Sequence, residues 1–164
     1  MVLNFNTKKT DTSKDEWLTP PEIWKALGPF DLDVCEPVDS PWHIGVHGFN
    51  KNDDGLKKEW FGRVWCNPPY GRQTFTWMRK LANHKSGLGL IFARMDTKGF
   101  HEEVFAKANS VFFFRGRLYF HHVDGRKGGR PNAGSVLVSY SAEDSQAIEN
   151  AKFDGSHIYL CGKP

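Results

Sequence analysis

Two short runs, Gly87-Leu88-Gly89-Leu90-Ile91-Phe92 and Ser110-Val111-Phe112-Phe113-Phe114, are apolar almost throughout. A strand written this way has no face to show to water, so a layer must cover it on both sides. Apolar residues recur at helical spacing ahead of each run: Phe75, Met78, Leu81 and Ala82 before the first, Phe100, Val104, Phe105 and Ala108 before the second. Strands alternating with helices predict an α/β layered sheet, largely parallel.

The remaining elements follow from local signals. A helix is expected over Pro20–Leu27. Thr19 would be its N-cap, Pro20 its first residue and Glu22 the partner in a capping box, with Leu18 and Ile23 as a hydrophobic staple. Gly28-Pro29 ends it. Phe30 to Cys35 alternates like a strand, and residues 37–55, rich in Gly and Pro, read as loops with one or two short strands. Arg63 to Cys66 is a short strand running straight into Asn67-Pro68-Pro69-Tyr70-Gly71. Later strands are expected over Ser135–Tyr140 and His157–Leu160.

At 164 residues the chain has the size of one domain. Residues 1–15 are polar and read as a flexible N-terminal arm, leaving 16–164 as a single domain. A composition 39% hydrophobic and 25% charged argues against a mainly disordered chain. No window is apolar enough for a membrane span, and the first residues lack a secretory signal. Cys35, Cys66 and Cys161 form no CxxC, which disfavours a disulfide framework or a zinc knuckle. The expectation is a soluble protein of the cytoplasm, without membrane or metal. Net charge is +3. Basic residues gather between Arg115 and Arg130, where Arg115, Arg117, Arg126, Lys127 and Arg130 face Asp124 alone. Gly125, Gly128 and Gly129 would let this loop (115–134) move. His121 and His122 have no third ligand at metal spacing.

Asn67-Pro68-Pro69-Tyr70 carries the chemistry. It stands at a strand's carboxyl end, where open α/β sheets bind ligands. The Asn67 amide oxygen and the Pro68 carbonyl can each accept an N–H from an exocyclic amine on a planar base. Such an amine is a poor nucleophile until its lone pair is drawn out of the ring. The two prolines set the backbone beforehand, and Tyr70 offers a ring for stacking. The plain alternative is a proline-rich turn with Tyr70 packed as core.

These residues resemble the catalytic motif of S-adenosylmethionine-dependent amino-methyltransferases acting on adenine N6, cytosine N4 or protein glutamine. Asn in first place points to adenine or glutamine. The wider series is similar to the phage-type DNA N6-adenine methyltransferases, the Dam family. It comprises Trp17-Leu18-Thr19-Pro20-Pro21-Glu22, Phe30 to Cys35, Asp54-Gly55-Leu56 with Trp60, Asn67 to Gly71, Ala93 to Thr97 with Phe100-His101, Arg115 to Phe120, and Gly134-Ser135. The resemblance implies a Rossmann-like fold, a compact three-layer α/β/α sheet, with S-adenosylmethionine as cofactor. Its substrate would be double-stranded DNA with the target adenine flipped out, met in the host cytoplasm if the gene is phage-encoded.

The resemblance also distributes roles. Asn67, Pro68, Pro69 and Tyr70 would be catalytic. Trp17, Thr19, Pro20, Asp33, Cys35, Asp54 and Asn67 would meet the cofactor, Asp33 through its amino group and Asp54 through its adenine amine. Arg72, Arg94, Arg115, Arg117, Arg126, Lys127 and Arg130 would meet DNA. Plain readings stand beside these: Thr19 as a helix cap, Asp33 as a strand-end carboxylate, Asp54 in a turn, Trp60 as core, Asp96 and Thr97 as a cap. The glycine-rich loop usual at this point in the wider methyltransferase pattern, after Asp33, is replaced here by Val34-Cys35-Glu36-Pro37. Twelve residues separate Asp54 from Asn67, too few for a recognition domain, so DNA reading falls after Tyr70. The alternatives are an RNA-adenine or protein-glutamine methyltransferase, or a basic nucleic-acid-binding module without catalysis.

Overall fold

A computed structural model describes residues 16–160, so the arm 1–15, Cys161 and the last three residues lie outside it. Seven strands form one mixed sheet in the order β2-β1-β3-β4-β6-β5-β7. These are β1 Phe30–Asp33, β2 Gly45–Gly48, β3 Val64–Cys66, β4 Gly87–Phe92, β5 Ser110–Phe114, β6 Ser135–Ser139 and β7 Gly155–Tyr159. Four helices accompany them: α1 Pro21–Leu27, α2 Thr74–His84, α3 Lys98–Phe100 continued by a π turn over His101–Phe105, and α4 Ala142–Ala151.

The expected largely parallel sheet is corrected here to a mixed one. β2, β1, β3 and β4 are parallel neighbours, while β6 runs antiparallel to both β4 and β5, and β7 runs antiparallel to β5. β5 therefore points the same way as β4, with a reversed strand inserted between them. Local apolar pattern marks a strand but not its neighbour, and this insertion is long-range.

Side chains alternate between two apolar clusters. Val64 and Cys66 join α2 and the α3 segment through Met78, Leu81, Phe100 and Val104. Trp65, between them, joins α1 and α4 through Ile23, Leu27 and Ile148. Each cluster excludes water from buried aliphatic and aromatic groups worth about 1.5–3 kcal/mol apiece.

The helix at the start departs from its expected capping box. α1 begins at Pro21 with Pro20 as N-cap, and no side chain caps it. Pro21 has no N–H to offer a Thr19 cap, and the Glu22 N–H, the donor a capping box would use, makes no bond to the Thr19 hydroxyl. The sequence signals did not anticipate α4, because its inward face carries Asp144 and Ser145 beside a single large apolar residue, Ile148. Its cap was the available signal: Ser141 Oγ accepts from the Asp144 N–H. Among the described residues no helix is long and apolar enough to cross a membrane.

Candidate active site

β3 delivers Asn67 to the carboxyl edge of the sheet, and α2 follows four residues after Tyr70. Thr74, at the start of α2, pins the intervening turn: its hydroxyl donates to the Pro69 carbonyl (2.9 Å) and accepts from the Gly71 N–H (3.2 Å). No donor among the described residues meets the Pro68 carbonyl. The Asn67 amide is oriented by its surroundings. Its nitrogen donates to the Trp17 carbonyl and to Thr19 Oγ1, both at 3.3 Å. A carbonyl can only accept, so the nitrogen must face it and the oxygen must point away. That oxygen is buried and unpaired.

Beside it opens a cleft of about 420 Å³, in the usual range for a small-molecule site. Trp17, Cys35, Asp54, Asn67, Pro68, Pro69 and Tyr70 all line it. A narrow extension holds Thr19 and Asp33 and shares Trp17, Cys35 and Asn67 with the cleft. Pro20 is buried at the helix start and lines neither. Phe49, Asn50, Lys51, Leu56, Gln73 and Trp77 also line the cleft. Apart from Leu56, which falls in the Asp54-Gly55-Leu56 match, these residues carry no motif, so pattern reading missed them. Glu36 also faces the cleft, with Oε1 held 2.6 Å from His43 Nδ1.

Asp33 is 3% exposed and accepts one N–H, from Cys35 (3.0 Å). Burial pushes its carboxyl up to about 7. Cys35 sits against Cys66, and burial holds its thiol well above the ordinary range. Asp54 has a left-handed backbone (φ 54°) and its carboxylate pairs with Lys57 Nζ at 2.8 Å, on the rim. Trp60 packs against Trp77 and donates to the Gly55 carbonyl (2.8 Å), a supporting place in the wall.

Tyr70 stands where three cavities meet. One face of its ring lies flat on Phe92, 4.0 Å between centroids, so only the opposite face is left for stacking. Its hydroxyl is buried without a partner, and burial raises the phenol well above its usual range. On the far side lie a cavity of about 390 Å³ with Phe120 and Arg130, and one of about 490 Å³ with Arg94 and Asn132. Arg94 Nη2 is 3.4 Å from Asn132 Oδ1. Thr97 caps α3, accepting from the Phe100 N–H, and Asp96 is exposed beside it. Arg72 is exposed and lines none of these cavities.

The tip of the basic segment turns back on itself as a hairpin. His121 pairs with both Leu18 and Lys127, and the Gly128 N–H donates to the Phe120 carbonyl (2.7 Å). Gly125, at φ 85°, closes the tip through its N–H to the His122 carbonyl (2.8 Å). Gly128 serves close approach: a Cβ there would come within 2.7 Å of Trp17. Two of the expected DNA cations are already paired, Arg126 with Asp124 (2.7 Å) and Arg115 with Asp154 (3.0 Å). Lys127 lies over the Tyr119 ring, and Arg117 and Arg130 are exposed. No group of three His, Cys, Asp or Glu is placed to hold a metal among the described residues.

The sheet carries a cleft and an oriented amide at its carboxyl edge, the place where open α/β sheets bind ligands. The family model described as DNA N-6-adenine-methyltransferase (Dam) matches residues 6–151, and the chain belongs to that family. Membership assigns it methylation of adenine N6 in DNA. No curated protein and no solved structure matches the chain.

Proposed function

We propose that the methyl donor is S-adenosylmethionine, held in the cleft beside β1 and β3, and that the acceptor is an adenine turned out of duplex DNA. The observation that carries this reading is the Asn67 amide, tied at its nitrogen and unpaired at its buried oxygen. Leaving a buried acceptor unpaired costs about 1–3 kcal/mol, which an incoming N–H recovers.

Asn67 Oδ1 and the Pro68 carbonyl each accept one N–H of the adenine amine. The nitrogen then moves toward a tetrahedral shape and its lone pair is freed from the ring. Pro68 and Pro69 aim these acceptors before substrate arrives, so no reorganisation is spent at the moment of reaction. Tyr70 offers the ring face not covered by Phe92. Its raised phenol stays protonated at neutral pH, so the surplus proton of the methylated amine leaves to water.

The cleft fits the donor in size and in charge. Asp33 is a buried carboxylate without a cationic partner, and the ammonium of a methionine moiety supplies one. Trp17, Cys35 and Asp54 form walls of the same space. When bound, S-adenosylmethionine supplies a methyl group on a positively charged sulfur. Arg94 and the hairpin cations, foremost Arg117, Lys127 and Arg130, meet phosphates at the rim. Extruding the base costs a few kcal/mol, recovered in the pocket beside Tyr70. We read the sheet and its two apolar clusters as a Rossmann-like three-layer domain over 16–164, with 115–134 as its DNA-facing loop, working in the cytoplasm.

The test is methyl transfer from isotopically labelled S-adenosylmethionine to unmethylated DNA, digested to nucleosides and read by mass spectrometry. Label in N6-methyldeoxyadenosine is the expected result. Label in N4-methyldeoxycytidine would correct the base. Saturable donor binding with no label in DNA would favour RNA or protein glutamine. Absence of donor binding would leave a nucleic-acid-binding module.

A further inference from the structure

We propose that Thr19 is a positioning residue for methyl transfer, acting through its hydroxyl on the Asn67 amide, and is not a helix cap. The inference rests on the reading of Asn67 as the acceptor of the adenine amine.

Three observations converge on it. The hydroxyl has no helix to cap, because α1 begins at Pro21 with Pro20 as N-cap and the Ile23 N–H goes to the Pro20 carbonyl (3.0 Å). Thr19 is also absent from the main cleft. It lines only the narrow extension, beside Asn67 and Asp33. What Thr19 does meet, at 1% exposure, is Asn67 Nδ2 at 3.3 Å.

The two ends of a carboxamide have nearly the same shape and opposite hydrogen-bonding character. A half-turn of the Asn67 side chain would present an NH₂ to the substrate's own N–H groups and block the amine. Only the pairing at the nitrogen distinguishes the two orientations. The Trp17 carbonyl, which can only accept, selects the orientation; the Thr19 hydroxyl, which can donate or accept, takes the second N–H and steadies the amide, each bond being 3.3 Å long. This places residues 17–19, fifty positions before the motif in sequence, in control of which end of Asn67 faces the cleft.

Thr19→Val removes the hydroxyl at nearly constant volume, and Thr19→Ser keeps it. In Thr19→Val we expect kcat for DNA methylation to fall about fivefold, the effect of one modest hydrogen bond. The KM for S-adenosylmethionine should stay within about twofold of wild type and the thermal midpoint within about 2 °C. Thr19→Ser should recover most of kcat. A raised donor KM at unchanged kcat would make Thr19 a donor contact and overturn the proposal. A lowered midpoint at unchanged kcat would make it structural and overturn it equally. A readout independent of turnover is the Asn67 side-chain NH₂ resonance pair in ¹⁵N-labelled protein, assigned by its loss in Asn67→Ala. Thr19→Val should shift the pair, and an unmoved pair would sink the proposal. A wild type inert on DNA but active on another amine overturns the substrate reading, while the kcat split then decides Thr19 on that substrate.

Discussion

Two buried aspartates sit at opposite edges of the parallel strands, and their partners differ. Asp144, in the first turn of α4 near the amino ends of β3 and β4, is 2% exposed and accepts from Arg63 Nε, the Gly87 N–H and the Ser141 hydroxyl, each at 2.7 Å. Arg63 also donates to the Leu27 and Pro29 carbonyls and lies 4.5 Å over the Phe30 ring. Asp33, at the carboxyl end of β1, is 3% exposed and accepts from one backbone N–H. Its neighbour Asn67 has an oxygen with no donor at all. Three donors meet one carboxylate and one meets the other, although Arg63 Nη2 at the amino edge is itself buried without a partner. Buried polar atoms are normally paired, and a carboxylate and an amide oxygen short of donors beside the cleft are the groups that the proposed ligand would complete. The amino edge holds the sheet together.

The largest test of this contrast is Asn67→Ala. If the unpaired oxygen is the acceptor, kcat should fall about a thousandfold, the scale of losing one preorganised polar group from an active site. Donor binding measured by calorimetry should persist. Full activity would mean that an unpaired buried oxygen says nothing about function here. Its counterpart at the other edge is Arg63→Ala. Removing the cation from a mostly buried pair strands Asp144, and unfolding in urea should show a loss of about 3 kcal/mol. Below the unfolding range, kcat should stay near wild type. A selective loss of turnover without loss of stability would erase the division between the edges.

The stabilising strands were more legible in the sequence than the site. β4 and β5 follow their apolar runs residue for residue, because a strand buried on both faces leaves no ambiguity of period. The Pro68-Pro69 pair likewise announces a rigid turn from its chemistry alone. What pattern reading could not reach is pairing across the chain. The insertion of β6 between β4 and β5, the Leu18–His121 contact that anchors the hairpin and the Arg115–Asp154 pair join residues far apart in sequence. Thr19 is the instructive failure. Ser or Thr followed three residues later by Glu is a sound capping signal, yet the helix starts one residue later, at Pro21, and the hydroxyl instead accepts from Asn67 Nδ2, 48 positions away in sequence and invisible to a local pattern.

A smaller effect is expected at Asp33. Its folded carboxyl lies at about 7, against 3.8 for the free group. Between those values the unfolded chain has released the proton and the folded chain has kept it, so stability falls as pH rises through this window. Asp33→Asn removes that slope, and the variant should gain on wild type in thermal midpoint between pH 4 and about 7. Donor binding should run the other way. The ionised carboxylate is the form that pairs with an ammonium, so wild-type affinity should rise from pH 6 to about 7.5, below the range where an α-amino group itself deprotonates. Asp33→Asn should bind about tenfold more weakly and without that rise. A variant that binds as tightly as wild type, with the same pH profile, would show that Asp33 is buried for reasons unrelated to the donor.

The smallest effects belong to the hairpin, where the contrast between paired and unpaired groups reappears on the surface. Arg126 and Arg115 have carboxylate partners, Asp124 and Asp154, whereas Arg117, Lys127 and Arg130 have none among the described residues. Arg130 also lines the cavity next to Tyr70. A cation already paired releases fewer counterions when it meets a phosphate, because its own charge is partly compensated before binding. Replacing Arg117, Lys127 or Arg130 with Ala should therefore weaken DNA binding about threefold each at physiological salt, and the triple variant should flatten the plot of log affinity against log salt by about 2.7. Arg115→Ala and Arg126→Ala should change that slope much less, although sequence composition counts all five cations alike. Equal slopes for the two sets would show that the ion pairs open on contact with DNA. The relevant quantity would then be the total charge of the loop rather than the charge its own carboxylates leave free.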